Sequence, residues 1–241
     1  MNKSSFEIHT SHIHKESCNC EACILKNMLF NHLPQEEAEK LCFIKKEIHF
    51  QKGEVIVKEN DPIEYFFYLK NGLIKISKML DNNKQFILKL ARPHDYISLL
   101  SYFHKQHYSY TMIAIEESDI CVFPLDHIQN LMISYPEFTV SFLQKVNKTA
   151  DHLIERFLTI NSRNLRGRIA LILLELSEKI YHAKSFEIPF SRKEMSELIG
   201  MTTENVIRIL SEFKNENIIK ISGKEIEIVN NDKLKFIAEH G

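Results

Sequence analysis

Apolar positions along the chain fall into successive textures, each predicting a different kind of element. Residues 1–28 are polar, His-rich and Cys-rich without a sustained apolar period, and read as an arm with one short helix over 21–30. Over 33–43, LPQEEAEKLCF sets Pro34 just inside a start, acids in the first turn, and Ala38, Leu41 and Cys42 at helical spacing. A helix is expected there, with Cys42 packed into the core as a small hydrophobe. Between Ile44 and Phe123 the chain turns to short β-rich runs: EIHF, EVIVKEN, YFFYLK, LIKISKML, FILKLA, YTMIAIEES and DICVFP. Short strands at this spacing predict an antiparallel sandwich or roll. Asn71-Gly72, between YFFYLK and LIKIS, predicts a tight hairpin, and Asp81-Asn82-Asn83 a further turn.

From Tyr135 the period becomes helical. Behind Pro136, residues Phe142, Val146, Ala150, Leu153, Phe157 and Ile160 recur at steps of four and three, with charged residues between them. That period alone suits a helix packed on its own domain as well as a seam between two helices. A stripe this long, beside a roll with its own core, tilts the expectation toward a homodimer. Asn161 to Asn164 breaks the pattern. Then come an amphipathic helix RGRIALILLELSEKIYHA, a strand FEIPF, a capping box at Ser191 and Glu194, and a helix EMSELI that stops at Gly200. Thr202 is placed to cap the next helix, TENVIRILSEFKNEN, whose Val206, Ile209, Leu210 and Phe213 share one face. Two strands around Ser222-Gly223-Lys224 complete a winged helix-turn-helix. The fold class expected is α+β: an arm over 1–28, an antiparallel β-roll over 29–134, a dimerisation helix over 135–161 and the winged module over 162–241.

In such a module the second helix enters the major groove and its N-terminal residues meet base edges. Here those residues are Thr202, Thr203, Glu204, Asn205, Ile207 and Arg208. Arg208 suits guanine O6 and N7; Glu204, four positions before it, suits cytosine N4 and can orient the arginine. A plain surface ion pair is the bland alternative, and the helix-Gly-helix-wing context favours base reading.

Charge changes this picture only in scale. With 31 basic and 32 acidic side chains in 241 residues, no global positive field recruits nucleic acid, so the charge for DNA must be local. Six of the seven arginines lie from Arg156 onward, where phosphate and base contacts would be made. The five cysteines, Cys18, Cys20, Cys23, Cys42 and Cys121, are odd in number and crowded near the start, with no apolar leader and no run long enough to span a membrane. A reduced, cytoplasmic setting is expected, where clustered thiols hold metal or sense redox state more often than they bridge.

The order of roll, long helix and winged helix resembles the Crp/Fnr superfamily of bacterial transcription regulators. The resemblance rests on Gly53-Glu54, Asn71-Gly72, the segment ICVFPLDHI over 120–128 and ELIGMTTENVIRILSEF over 197–213. It implies a cyclic-nucleotide-binding-like roll, a homodimer, a palindromic duplex site, RNA polymerase as a partner, and base reading by Glu204 and Arg208. Ile207 stands where the family often has Ser or Gly, and a thymine methyl is a suitable contact for it. Members that bind cyclic AMP carry a Gly-Glu pair and a downstream Arg in the roll. The corresponding stretch here, HDYISLLSYFHKQHYSYTMIAIEES, has neither Gly nor Arg, so a cyclic nucleotide is not expected.

The cysteines resemble those of the oxygen-responsive fumarate and nitrate reduction (Fnr-like) branch. Cys121, three residues before Pro124, matches that branch's distant cysteine, and Cys20-Glu21-Ala22-Cys23 matches its C-x-x-C core. The resemblance implies a [4Fe–4S] cluster on Cys18, Cys20, Cys23 and Cys121, and a response to oxygen or nitric oxide. The branch's third N-terminal cysteine position is Leu29 here, and Cys18 is the candidate replacement. A zinc site using Cys18, Cys20, Cys23 and His12 or His14, haem sensing through a His, and thiol redox sensing remain alternatives. A rival of another class is a metal-binding electron-transfer protein. An enzyme is not expected, since no P-loop, G-x-G-x-x-G, nucleophile elbow or H-E-x-x-H is present.

Overall fold

The computed structural model describes Phe30 and residues 32–80, 84–102 and 105–241. The arm over 1–28, the helix expected over 21–30 apart from Phe30, and the turn at Asp81-Asn82-Asn83 lie outside the described residues. The chain forms two units, one running to Lys78 and resuming over Leu90–His152, the other made of Met79–Lys89 and Leu153–Gly241.

In the first unit, helix α1 (Gln35–Ile44) starts behind Pro34 and turns Ala38 and Leu41 inward. Cys42 is half-buried rather than enclosed in the core, because the buried line of this helix runs through Ala38 and Leu41. Strands β1 (Lys46–Phe50), β2 (Val55–Val57), β3 (Tyr65–Asn71), β4 (Ile74–Met79), β5 (Gln85–Ala91), β6 (Thr111–Ala114) and β7 (Ser118–Pro124) make two sheets, ordered β1-β7-β3 and β2-β6-β4-β5. The β1-β7, β3-β7, β2-β6 and β4-β6 ladders are all antiparallel. This is the expected roll.

The β1-β7-β3 sheet is covered on both faces, which is why YFFYLK and DICVFP show no alternation of polar and apolar residues. Phe67, Leu69, Ile120 and Val122 point into a core shared with Ile56, Ile74, Ile76 and Met112 of the other sheet. Their neighbours Phe66, Tyr68, Cys121 and Phe123 point the other way, into a cluster closed by Leu41, Leu125, Ile128, Phe138 and Phe142. The last four come from helices α2 (Leu125–Ser134) and α3 (Pro136–Asn161). Helix α2 was not expected from the sequence. It follows β7 with no polar gap, Pro124 serving as its N-cap, so strand and helix merge into one apolar run.

Asn71-Gly72 is not a hairpin. Strands β3 and β4 belong to different sheets, so the turn is a corner that carries the chain from one sheet to the other. The return passage from β6 to β7 is beside it, with Ile115 N–H donating to the Leu73 carbonyl at 2.9 Å. Gly72 has φ +92°, and a Cβ there would stand 2.3 Å from the Glu117 carbonyl oxygen. Only glycine fits.

In the second unit, Asn164 caps α4 (Leu165–Leu174), accepting from the amides of Arg166 and Gly167 at 2.9 and 3.0 Å. The helix continues as a π-helical stretch over Glu175–Ile180. Strand β8 (Ser185–Glu187), helices α5 (Arg192–Ile199) and α6 (Thr203–Asn215), and strands β9 (Ile219–Ser222) and β10 (Glu225–Ile228) follow. The small sheet is ordered β8-β10-β9. A final helix, α7 (Asn231–His240), unread in the sequence, buries Leu234 and Ala238. Helix-turn-helix and wing are where the pattern put them.

Candidate nucleic-acid interface

Local chemistry builds the two-helix unit. Ser191 Oγ accepts from Glu194 N–H at 3.1 Å while the Glu194 carboxylate accepts from Ser191 N–H at 2.8 Å, the reciprocal box expected at the start of α5. Such a cap contributes about 1 kcal/mol. Gly200 ends the helix at φ +66°, and Thr202 caps α6 by accepting from Asn205 N–H at 3.3 Å. Val206, Ile209, Leu210 and Phe213 are all buried, and each contributes roughly 1.5–3 kcal/mol of apolar burial. With that face fixed inward, Glu204, Ile207 and Arg208 are exposed on the opposite side.

The remaining expected positions divide by role. Thr202 is exposed and holds the cap. Thr203 is half-buried, its hydroxyl 3.3 Å from Ser196 Oγ, so it ties α6 to α5. Asn205 is half-buried and its Oδ1 accepts from Arg208 Nη2 at 3.4 Å. Arg208 is not paired with Glu204. Its Nη1 donates instead to Glu212, four residues further along the helix.

Glu212 and its supports do not stand out in the sequence. The second oxygen of Glu212 accepts from Arg166 Nη1 at 2.9 Å. The other terminal nitrogen of Arg166 reaches Glu216 at 2.8 Å, and Lys233 reaches the same carboxylate at 3.0 Å. Hydrogen bonds from Lys233 and Arg166 hold the Glu216 carboxyl below its ordinary value. Arg166 itself lies over the Phe213 ring, 4.9 Å from its centroid. The spacing of Glu212 from Arg208 was readable; the arrival of Arg166 from another helix was not.

Three other arginines of this region are committed to acceptors within the protein. Arg168 donates to the carbonyls of Arg163, Ile199 and Gly200 at 3.1, 3.2 and 3.3 Å, holding the turn between α5 and α6 from behind. Arg163 donates to the Ala238 carbonyl at 2.8 Å, and Arg156 pairs with Glu175 at 2.6 Å. Lys193, Lys214, Lys220 and Lys224 of this module are exposed.

On α3, Phe142 was expected in a seam between two helices. It is fully buried in the roll's own cluster, because this turn of the helix closes the face carrying Phe66 and Phe123. Val146 packs against the same cluster, and Ala150 and Leu153 are half-buried. Phe157 is 66% exposed and is joined by Val140, Leu143, Ile154 and Leu158 as exposed apolar side chains. The open stripe is thus rotated from the expected one and meets it at Phe157.

Of the four cysteines expected to bind metal, Cys18, Cys20 and Cys23 lie outside the described residues. Cys121 is 2% exposed, with Glu47 on β1 and Tyr68 on β3 directly across from it in register. Glu47 receives Lys70 at 2.5 Å and Lys45 at 3.7 Å; Tyr68 Oη is 2.7 Å from His94 Nδ1. Among the described residues, no group of three or more His, Cys, Asp or Glu side chains is gathered to hold a metal. The stretch that lacks Gly and Arg contributes tyrosines to the roll interior. Tyr102 and Tyr108 both donate to the Tyr65 carbonyl, at 2.8 and 3.0 Å, and burial raises both phenols.

Comparison with known proteins agrees with these features. A family model described as cyclic nucleotide-binding domain matches residues 47–135, and one described as Crp-like helix-turn-helix domain matches 167–237. The transcriptional regulatory protein btr of Bordetella pertussis is 24% identical over 91% of this chain and 93% of its own. The fumarate and nitrate reduction regulatory protein of Yersinia pestis is 23% identical over 91% of this chain and 90% of its own. The solved structure of FixK2 from Bradyrhizobium japonicum superposes with a TM-score of 0.71 at 20% identity, covering 80% of this chain and 97% of that one. Both sequence relatives are named as regulatory proteins. No described helix is long and apolar enough to cross a membrane. With both family models in chain order, on a roll and a helix-turn-helix built as above, the chain belongs to the Crp/Fnr family of DNA-binding transcription regulators.

Proposed function

We propose that this regulator works in the cytoplasm as a homodimer on a two-fold symmetric duplex, and that it senses oxygen or nitric oxide through a [4Fe–4S] cluster on Cys18, Cys20, Cys23 and Cys121. Relatives bearing names such as anaerobic regulatory protein and fumarate and nitrate reduction regulatory protein favour this branch over a cyclic-nucleotide sensor. The buried tyrosines inside the roll, in place of a glycine and a guanidinium, favour it too.

The observation that carries the reading is the place of Phe30, just beyond the arm, beside the strand that carries Cys121. Phe30 meets Phe123 with ring centroids 5.6 Å apart, on the same face of β7 as Cys121 and two positions from it. Cys23 is seven residues before Phe30, a reach of at most about 25 Å, so the arm's thiols and Cys121 can serve one centre. Four thiolates are the donor set that a [4Fe–4S] centre takes. When bound, such a group supplies a tie that oxygen destroys. Cys121 shares its apolar cluster with Phe138 and Phe142, so strain at the thiol bears on α3, the helix with the exposed stripe.

The test is an absorption spectrum and metal analysis on anaerobically purified protein, repeated after air exposure. A brown protein with roughly four iron per chain that bleaches in air supports the reading. Colourless, iron-free protein from an iron-replete anaerobic preparation overturns it, and bound zinc would assign the arm's cysteines to a structural site instead. Cys121→Ser is expected to remove the iron while the DNA-binding module stays folded.

A further inference from the structure

The acidic residue facing Arg208 is not the one at the start of the recognition helix. Glu212 stands one turn on, and its carboxylate is fixed from both sides. One oxygen holds Arg208; the other is held by Arg166, which is itself braced by Glu216 and by the Phe213 ring. Glu204 has no such brace and makes no ion pair with Arg208. Off DNA, therefore, the exposed guanidinium of Arg208 is already neutralised and drawn toward the C-terminal end of α6.

We propose that Glu212 is a specificity-setting residue: it engages Arg208 off DNA, so that a lone phosphate gains little from the guanidinium and only a base edge that accepts two hydrogen bonds draws it away. The inference rests on the reading of Arg208 as a base-contacting residue. The physical basis is a competition between acceptors. A phosphodiester offers Arg208 another anionic acceptor of the kind Glu212 already supplies, so exchanging the one for the other brings little net gain. Guanine offers O6 and N7 together in the fork geometry of a guanidinium, which a single Glu212 oxygen does not match. A braced carboxylate also does not follow Arg208 onto the DNA, since Arg166 retains it. Non-specific affinity is thereby lowered more than specific affinity, which widens the ratio between them.

The test compares wild type, Glu212→Gln, Arg208→Ala and the double variant, each as full-length protein. The probes are a duplex enriched by the wild type from a random library and a random-sequence duplex of equal length, titrated over a range of salt. Glu212→Gln keeps an acceptor for Arg166 and the length of the side chain. It is expected to tighten random-sequence binding by about fivefold to tenfold near 0.1 M salt, and to steepen the salt slope by about 0.9 per subunit. The ratio of enriched to random binding falls accordingly. In the Arg208→Ala background, Glu212→Gln is expected to change neither. Glu216→Gln, which removes the same formal charge without touching Arg208, is expected to leave the slope as it was.

Equal tightening with and without Arg208 would mean bulk charge alone and overturns the proposal, as does no tightening in the native background. A failure of the underlying reading looks different. Arg208→Ala would then leave the base preference in the selection unchanged, whatever Glu212→Gln does.

Discussion

The carboxylate of Asp119 accepts a hydrogen bond from the ring Nδ1 of His49 at 2.9 Å, directly across the β1-β7 ladder. The Asn71 amide donates to its other oxygen at 3.2 Å, and the Gln51 amide lies 2.9 Å from His49 Nε2. Partial burial works against the Asp119 charge, but the bonds from His49 and Asn71, with the nearby Lys70, outweigh it and hold the carboxyl below its ordinary 3.8. A depressed carboxyl adds stability above the unfolded-state value, and that stability is lost as pH falls through the folded-state value. Thermal unfolding followed from roughly pH 5 to pH 3 is expected to show a steep loss in the wild type and a shallower one in Asp119→Asn. Parallel slopes for the two proteins would remove Asp119 from the acid response.

Gly72 makes a sharper demand on its backbone than a hairpin turn would. Gly72→Ala drives a methyl into the Glu117 carbonyl at a corner where φ is already +92°. A loss of at least about 2 kcal/mol is expected in denaturant unfolding. Loss of less than half that would show that the corner yields easily and that the two chain crossings beside it are not rigid.

Phe157 and Phe142 are expected to behave oppositely, although both lie on one apolar stripe of α3. Phe157→Glu alters an exposed ring and is expected to shift a dimer toward monomer in sedimentation with the melting temperature of the roll little changed. Phe142→Ala opens a cavity in the roll and is expected to cost about 3–5 kcal/mol of stability. A Phe157→Glu protein that sediments like the wild type would assign that face to something other than a second copy.

Where the sequence succeeded and failed follows from the range of the forces involved. The Ser191–Glu194 box, the left-handed Gly200 and the inward face of α6 are set by residues within a few positions of one another, so they were legible one by one. The corner at Gly72 looks like a hairpin in sequence because the identity of the neighbouring strand is decided by β6 and β7, some forty residues downstream. Phe142 joins the roll's core rather than a seam for a related reason: a helical period reports which residues share a face, not what that face meets. Helix α2 was hidden by the absence of a break after β7. The pairing of Arg208 was expected on its N-terminal side because Glu204 has the right spacing. It is decided on the other side by Arg166, which reaches Glu212 from α4.

Arg168 grips the turn between α5 and α6 through the carbonyls of Ile199 and Gly200, groups that every residue type supplies. The turn leading into α6 is thus held through main-chain acceptors, whereas the residues proposed to meet DNA are side chains on its exposed face. On that proposal, substitutions at the exposed Ile207 or Glu204 would alter the reading face without touching this grip. Replacing Arg168 would leave those side chains in place while removing three hydrogen bonds, two of them to the turn that leads into α6.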